Sequence, residues 1–314
     1  MCNQNCYVKI ITFATMTLSI LIPTYDYVCY TLVHDLQKQC EIVDNLDKYE
    51  IIVMEDGGKD QVKAIANLKI NDLPNCRYIR KKENVGRAYN INNMVKEAKG
   101  DWCIIMDCDA QVISNNYIKN YISATKQHPD GDVIIGGLTN PTTLPSPKVS
   151  LRYTYEKDAE PYRTTQYCNA HPYSRFCTFN VMIKRTLILA TPFHPTFTKY
   201  GFEDIFMGVE LSRKKVSIIY IENPLQHTGF DDNNIFLKKT ETALTMLHKA
   251  GDMLLPYTRL GKVVDKCHKW HMENTLYLCY RITKPFLRKN LLGEKPNMRF
   301  FAFYKLGYYI GLTK

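Results

Sequence analysis

Short apolar runs alternate with helical patterns through the first half of the chain, and this alternation restricts the fold more than any other feature. Four runs have the length and composition of strands, namely LSILIP, YEIIVMED, CRYIRKKE and DWCIIMD. The segments between them have helical patterns, and one of these ends at Gly100. Repeated strand–helix units form parallel sheets that bind ligands at the carboxyl ends of their strands. The sequence therefore predicts an α/β fold with a doubly wound, mainly parallel sheet.

The fourth predicted strand ends on two carboxylates, Asp107 and Asp109, in the stretch CIIMDCDAQV. On an extended segment these side chains lie on the same face, where like charges repel unless a cation lies between them or one carboxyl stays protonated. Oxygen ligands in this position suit a hard divalent ion such as Mg²⁺ or Mn²⁺. A second pair, Asp130 and Asp132, precedes its apolar run and instead predicts a solvated turn that leads into a strand.

Polar residues also follow the second and third predicted strands. Asp56 ends the second strand before Gly57–Gly58, where an acidic group accepts hydrogen bonds from a base or ribose in nucleotide-binding sheets. The alternative is an ordinary Asp-Gly turn. Asn84 and Gly86 lie at a helix N-terminus, whose free N–H groups favour phosphate. Arg87 in the first turn opposes the helix dipole, which indicates an anion nearby, unless it is a surface arginine.

Two later segments carry further candidates. Glu203 and Asp204 open a predicted helix in GFEDIFMGVEL, where the helix dipole favours ionised carboxylates. His227 lies in the loop NPLQHTG and offers a neutral imidazole nitrogen to a metal, although a lone histidine is more often structural.

Six segments carry a resemblance to a known family: LSILIPTYDY, EIIVMEDGG, RKKENVGRAYNIN, IIMDCDA, GFEDIFMGVEL and NPLQHTG. Their order resembles that of inverting GT-A glycosyltransferases of family 2, especially the bacterial enzymes that build surface polysaccharide or lipopolysaccharide. The resemblance covers about Thr17 to Leu247. It implies a GT-A fold, a nucleotide-sugar donor (a UDP-sugar), a glycan or lipid-linked acceptor, and Mn²⁺ or Mg²⁺ as the cofactor.

The resemblance also assigns residues to the nucleotide. Pro23, Thr24 and Tyr25 match the loop that lines it. Asp56 matches the acid that bonds the base, and Arg87 matches the arginine near the diphosphate. Asn84 and Gly86 complete this side of the predicted site.

The metal and the reaction are assigned in the same way. Asp109 matches the direct metal ligand, Asp107 the residue that binds the ribose or metal-bound water, and Cys108 lies between them in the nucleotide-sugar site. His227 matches the histidine that completes the metal site in some relatives. Asp204 matches the catalytic base, and the catalytic residue Glu203 beside it holds acceptor or sugar hydroxyls.

These roles imply transfer of a hexose or N-acetylhexosamine by single displacement with inversion. An acceptor hydroxyl must lose a proton to a carboxylate as it attacks. The alternative is a catalytically inactive protein of the same fold that binds nucleotide or glycan. A sugar nucleotidyltransferase would carry a Gly- and Arg-rich loop after the first strand, and a dinucleotide-dependent oxidoreductase would carry G-x-G-x-x-G there. The sequence PTYDYVCY matches neither.

The predicted domain organisation has three parts. Residues 1–15 are expected to be a disordered extension or an artefact of start-site choice. Residues 16–232 form the catalytic domain, with a nucleotide-binding half at about 16–112 and an acceptor half at about 113–232. The apolar run VKIITFATMTLSILIP stops at Pro23, short of the ~20 residues of a membrane span. The eleven cysteines show no CxxC, which favours a reducing, cytoplasmic setting.

Residues 233–314 form a basic, aromatic tail of predicted helices. From Asp232 onward there are 15 Lys/Arg against 6 Asp/Glu, so this quarter holds +9 of the net charge of +10. Such a surface suits peripheral contact with anionic lipid at the inner face of the membrane. The alternative is a basic helix that packs its aromatic residues on the main domain. No recognisable motif supports binding to nucleic acid.

Overall fold

The computed structural model describes residues 16–314, so the expected extension at residues 1–15 lies outside the described part. The strands are β1 (Met16–Thr24), β2 (Leu46–Glu55), β3 (Cys76–Arg80), β4 (Trp102–Met106), β5 (Ala110–Val112), β6 (Val133–Ile135), β7 (Leu138–Thr139), β8 (Asn180–Lys184), β9 (Ile218–Tyr220) and β10 (Leu225–His227). The helices are α1 (Tyr30–Ile42), α2 (Gln61–Leu68), α3 (Arg87–Glu97), α4 (Tyr117–Gln127), α5 (Ser150–Ala159), α6 (Thr165–Ala170), α7 (Arg185–Ala190), α8 (Glu203–Arg213), α9 (Asn233–Ala250), α10 (Arg259–Lys269), α11 (Glu273–Leu291) and α12 (Met298–Gly311).

Seven strands form the central sheet in the order β3-β2-β1-β4-β8-β6-β9. The first four are parallel to one another, and β6 and β9 are parallel to each other. Strand β8 is antiparallel to both of its neighbours, β4 and β6. The predicted α/β fold with a mainly parallel sheet is therefore confirmed, with one reversed strand in its interior.

The sheet is apolar on both faces because helices cover both of them. In β1, Leu18, Ile20 and Ile22 pack on one face with residues of α1 and α4. Leu21 packs on the other face with residues of α3 and α8. Each of these four side chains is at most 1% exposed. Two covered faces explain why these strands have continuous apolar runs rather than alternating patterns.

The early elements lie within a few residues of the predicted ones. Helix α2 occupies residues 61–68, between the second and third predicted strands, and begins after Asp60. The Asp60 carboxylate accepts hydrogen bonds from the backbone N–H groups of Val62 and Lys63, both at 3.1 Å. This side chain satisfies two N–H groups that have no partner within the helix. The pair Asp130 and Asp132 lies in a turn before β6, as predicted.

The predicted tail is packed against the rest of the protein. Leu244 of α9 and Tyr309 of α12 belong to the same core cluster as Leu21 of β1. Phe301 and Tyr304 of α12 pack in a further cluster with residues of α5 and α9. For α12, the structure therefore agrees with the alternative in which the aromatic residues pack on the main domain.

Helix α11 differs from α12 because it exposes a large apolar face. Leu278, Ile282 and Phe286 follow one another at a spacing of four residues and are 58%, 71% and 61% exposed. Residues four apart lie on the same side of a helix, so the three form a stripe. Among residues 16–314, no helix is both long enough and apolar enough to cross a membrane.

Candidate active site

The candidate site lies at one edge of the central sheet. β1, β2 and β4 end there because they are parallel, and antiparallel β8 begins there. Thr24 therefore lies near Asp56, whose N–H donates to the Thr24 carbonyl at 2.9 Å. Asp107 follows β4, and its N–H donates to the carbonyl of Phe179. Carboxyl ends of strands are where open α/β sheets bind ligands.

Arg87 is the first residue of α3 and connects four predicted or newly found site residues. Its Nε donates to Asp107 Oδ1 at 3.1 Å, and its Nη1 donates to Thr178 Oγ1 at 2.8 Å. The same Nη1 lies 3.9 Å from both Glu203 Oε1 and Asp204 Oδ1. Burial acts to lower the pKa of Arg87, but the three carboxylates outweigh it and raise that pKa. The anions indicated by this arginine are thus carboxylates of the protein itself.

Asp204, near the start of α8, is held by a residue that the sequence did not single out. The Thr178 hydroxyl donates to Asp204 Oδ1 at 2.7 Å, and the Thr178 N–H donates to Oδ2 at 3.2 Å. Thr178 is completely buried. Its place at this edge depends on the reversed direction of β8, which no sequence pattern indicated.

Glu203 precedes Asp204 and is 7% exposed. Its Oε2 accepts the N–H of Gly201 at 2.8 Å. Burial and the charge of Asp204 raise the pKa of Glu203, although Arg87 acts in the opposite direction. Of the two adjacent carboxyls, Asp204 is the one whose oxygens Thr178 orients, which makes it the stronger candidate for the base.

Asp109 and His227 meet across the small sheet of β5, β10 and β7. Antiparallel pairing places His227 opposite Ala110, next to Asp109. His227 Nε2 lies 3.2 Å from Asp109 Oδ2. The Asp109 carbonyl accepts hydrogen bonds from the N–H and the hydroxyl of Thr228, at 3.0 and 2.7 Å. Gly229 lies so close that a Cβ at this position would overlap the Asp109 carboxylate.

The candidate metal ligands Asp107, Asp109 and His227 suit a divalent ion only in part. Asp109 Oδ1 and His227 Nδ1 are buried and have no hydrogen-bond partner. A carboxylate oxygen and a neutral imidazole nitrogen are ligands that Mn²⁺ accepts. Asp107, the third predicted ligand, pairs with Arg87 instead. Within residues 16–314, no group of three His, Cys, Asp or Glu side chains is positioned to hold a metal. The three-ligand set therefore stays a prediction.

Asp56 is 4% exposed and anchors the loop before α3. Its two carboxylate oxygens accept the N–H groups of Val85 and Gly86, at 2.9 and 2.8 Å. The Asn84 side chain also accepts the Gly86 N–H, at 3.1 Å. Gly57, with φ +69°, leaves no room for a side chain against the backbone of Asn84. The loop that carries Arg87 is thus fixed to the end of β2.

The remaining predicted residues lie at the end of β1 and after β4. Pro23 and Thr24 are buried, whereas Tyr25 is 51% exposed at the edge of the sheet. Cys108 packs against the core cluster that includes Cys29 and residues of α1. Tyr25 therefore presents its ring to solvent, and Cys108 contributes to packing.

Comparisons with known proteins bear on the family and the fold. The sequence model of Glycosyl transferase family 2 matches residues 19–188. No curated protein matches the chain. The solved mannosyltransferase PcManGT from Pyrobaculum calidifontis, in complex with GDP-Man and Mn²⁺, is similar with a TM-score of 0.54 and 12% identity, over 93% of this chain and 84% of that one.

A second solved structure is TarS from S. aureus, with a TM-score of 0.50 and 17% identity. The match covers 73% of this chain but only 39% of TarS. For TarS residues 1–349, the TM-score is 0.49 and the identity 15%, over 74% of this chain and 65% of the fragment. The chain thus spans less than two thirds of this relative. At identities this low, a structural match shows the fold alone.

Proposed function

Since the chain belongs to glycosyl transferase family 2, we propose that it transfers a hexose or N-acetylhexosamine from a UDP-sugar to a glycan or lipid-linked glycan acceptor. The transfer proceeds by single displacement with inversion. The observation that carries this proposal is the cluster in which Arg87 contacts both Asp107 and Thr178, while Thr178 holds Asp204. The GDP-Man and Mn²⁺ bound by PcManGT support a nucleotide-sugar donor and a divalent metal cofactor.

Asp204 is the base of the proposed reaction. The acceptor oxygen attacks the anomeric carbon, the bond from that carbon to the diphosphate breaks, and the acceptor proton moves to Asp204. Thr178 fixes both oxygens of this carboxylate, so its orientation does not depend on the substrate. Glu203 lies beside this base, where its carboxyl oxygens can bind a sugar or acceptor hydroxyl.

Arg87 stabilises the leaving UDP. Its guanidinium is permanently charged and is held by carboxylates at the edge of the sheet where a diphosphate would lie. Asp109 and His227 would hold the divalent ion, Mn²⁺ or Mg²⁺, with Asp107 as the third predicted ligand. When bound, this ion neutralises the charge that develops on the diphosphate.

The nucleotide side of the proposed site comprises Pro23, Thr24, Tyr25, Asp56, Asn84, Gly86 and Cys108. The exposed ring of Tyr25 offers an apolar face for the base. Asp56 retains lone pairs that can accept from the base, in addition to the two N–H groups that it already binds.

The first test is calorimetric titration of UDP with and without Mn²⁺, for the wild type, Asp109→Ala and Asp130→Ala. Asp130 is a matched control because it belongs to the second, solvated Asp-x-Asp pair. We expect Mn²⁺-dependent binding in the wild type and in Asp130→Ala, but not in Asp109→Ala. Binding that ignores both Mn²⁺ and Asp109, or no binding at all, would contradict the proposed donor or metal site.

Measuring UDP release distinguishes the proposed glycosyltransferase from an inactive protein that only binds nucleotide or glycan. A panel of UDP-sugars with Mn²⁺ should include at least one from which UDP is released. A protein that only binds nucleotide releases none, whatever its affinity.

We also propose that α11 rests on an anionic membrane surface from the cytoplasmic side. Leu278, Ile282 and Phe286 form its exposed stripe, and residues 232–314 carry a net charge of +9. An apolar face on a basic segment combines hydrophobic burial with attraction to acidic headgroups. Contact with lipid would bring the site close to a lipid-linked acceptor.

A further inference from the structure

A cavity of about 200 Å³ opens beside the proposed base. Its twelve lining residues all lie between residues 135 and 220, within the predicted acceptor half of the chain. Phe176, Phe179 and Tyr220 supply aromatic surface, and Asn180 supplies an amide. None of the described residues that line it belongs to the nucleotide-binding half, so the cavity is a candidate for the acceptor rather than the donor.

The cavity is positively charged. Arg163 and Arg175 line it, and none of its twelve described lining residues is Asp or Glu. Arg163 directs Nη1 to the buried carboxylate of Glu156, which leaves its other guanidinium donors outside that pair. Glu156 therefore neutralises Arg163 only in part.

Arg175 has no anionic partner. Within residues 16–314 it forms neither an ion pair nor a hydrogen bond, and its Nε is buried without a partner. Its guanidinium carbon lies 5.7 Å from the ring centre of Tyr162 and 5.1 Å from that of Tyr167. The aromatic faces attract the cation and restrict its position, but they satisfy none of its directed N–H groups. A buried, unsatisfied donor of this kind is costly unless a ligand binds it.

The cavity adjoins the reacting groups through Cys177, which is one of its lining residues. The next residue in the chain, Thr178, holds the Asp204 carboxylate. Tyr220 lies on the cavity wall, and burial is the main cause of its raised pKa. The negative charge of Asp204 raises that pKa further, which indicates that Asp204 lies near the wall. A molecule in this cavity would therefore have part of its surface close to the proposed base.

We propose that the acceptor carries an oxyanion, a carboxylate or a phosphate group, which binds Arg175 and Arg163 while an acceptor hydroxyl faces Asp204. This inference rests on the proposed function, since it names the chemical class of the acceptor for that reaction. Arginine donates pairs of parallel hydrogen bonds that match the geometry of both groups.

The test measures binding of three related sugars by NMR titration, with and without UDP and Mg²⁺. The probes are galactose, galacturonate and galactose 6-phosphate, which differ in the neutral, carboxylate or phosphate group at one position. The proteins are the wild type, Arg175→Gln and Arg259→Gln. Arg259 is a matched control because its guanidinium stacks on the same Tyr162 ring, at 4.9 Å, but it does not line the cavity.

We expect at least one anionic sugar to bind the wild type about tenfold or more tightly than galactose, as charge-assisted hydrogen bonds predict. Arg175→Gln should abolish this preference, and Arg259→Gln should keep it. Which of galacturonate and galactose 6-phosphate binds better identifies the source of the oxyanion.

Equal binding of charged and neutral sugars to the wild type would overturn the inference, and this outcome does not depend on any variant. A preference that survives Arg175→Gln in a folded protein would also overturn it, as would displacement of the anionic sugar by UDP. Failure of UDP to bind in the calorimetric experiment would instead count against the proposed function. The two failures are therefore distinguishable.

Discussion

At the scale of single residues, Thr178 links the cation of the site to its base. Its hydroxyl accepts a hydrogen bond from Arg87 and donates one to Asp204. Since the residue is fully buried, water cannot replace either bond without a cavity for it. In the proposed reaction Thr178 is a positioning residue, because it acts on the substrate only through Arg87 and Asp204.

Thr178→Val keeps the shape of the side chain and removes both hydrogen bonds of the hydroxyl. We expect kcat to fall about 10- to 100-fold, because the lost bond to the Asp204 carboxylate contributes roughly 1.5–3 kcal/mol. The affinity for UDP should stay unchanged. Thr178→Ser keeps the hydroxyl and should retain most of the activity. Equal losses in both variants would indicate a packing role instead.

Asp204→Asn tests the base itself. We expect the transfer rate to fall by about 10²–10⁴, the usual contribution of general base catalysis. Mn²⁺-dependent UDP binding should persist because Asp204 is not one of the predicted metal ligands. Steady-state kinetics alongside UDP titration would check this. An active Asp204→Asn enzyme would remove Asp204 from its role, and Glu203→Gln would then be the next variant to measure.

Gly229→Ala tests how Asp109 is placed. A Cβ on residue 229 would overlap the Asp109 carboxylate, so the carboxylate must move. We expect weaker Mn²⁺-dependent UDP binding with little change in the fold. Gly251→Ala is the control, since its positive φ of 49° makes the substitution strained while no atom lies within 4 Å of the new Cβ. If both variants bind UDP normally, the close packing of Gly229 against Asp109 has no role in nucleotide binding.

The sequence indicated the charged residues of this site because each lies at a recognisable point of an element. Asp107 follows a strand, and Asp204 lies in the first turn of a helix. Thr178 and Gly229 gave no such signal, since their roles arise from contacts between segments that are distant in the chain. Asp56 is among the predicted site residues, but the sequence did not predict its bonds to the backbone of residues 85 and 86.

At the scale of elements, apolar patterns predicted most strands of the sheet and their mainly parallel arrangement, but not the reversed direction of β8. An apolar run is equally compatible with a parallel or an antiparallel neighbour when both faces are buried. Strand β8 joins the interior of the sheet between β4 and β6 in the reversed direction. The short strands β5 and β10 were missed because three residues are too few for a periodic pattern.

The element α5 contributes a buried ion cluster that should make stability depend on pH. Glu156 is 2% exposed and pairs with Arg152, at 2.7 Å, and with Arg163. Burial acts to raise the pKa of Glu156, but the two arginines outweigh it and lower that pKa below 4.5. A lowered pKa in the folded state stabilises the protein above pH 4.5, and this contribution is lost as pH falls through the folded value.

Glu156→Gln should therefore reduce the free energy of unfolding by about 3–5 kcal/mol at pH 7, as expected when one partner of a buried ion cluster is removed. The difference from the wild type should narrow below pH 4.5. Urea denaturation at several pH values would measure it. Glu210→Gln, in the surface pair with Arg213, should change stability by only about 0–1 kcal/mol. A difference that does not vary with pH would contradict the pKa direction.

At the scale of the whole molecule, charge and apolar exposure coincide on the C-terminal helices. These helices are not an appendage, because α9 and α12 contribute residues to the core that packs under the sheet. Removing them would expose that core, so membrane contact is better tested by surface substitutions. The sequence predicted the basic charge of this region, but which aromatic residues face inward depends on how the helices pack.

We expect the protein to bind vesicles that contain phosphatidylglycerol, and to bind neutral vesicles weakly. The double variant Ile282→Ser, Phe286→Ser should bind about tenfold or more weakly, since burial of each large apolar side chain contributes roughly 1.5–3 kcal/mol. Ile42→Ser with Val62→Ser is the control, as these residues are 80% and 78% exposed on other helices. Co-sedimentation would measure binding, and equal losses in both double variants would contradict the assignment of this face.

The position of Tyr309 has a consequence for the order in which the protein matures. The core cluster under the sheet contains residues from Leu21 to Tyr309, so its two limits are separated by most of the chain. A ribosome synthesises Leu21 early and Tyr309 after every other member of the cluster. The strands that precede Asp56 and Asp107 therefore leave the ribosome long before this cluster is complete. The nascent sheet must remain unaggregated for that interval, which makes this region a natural client for chaperones.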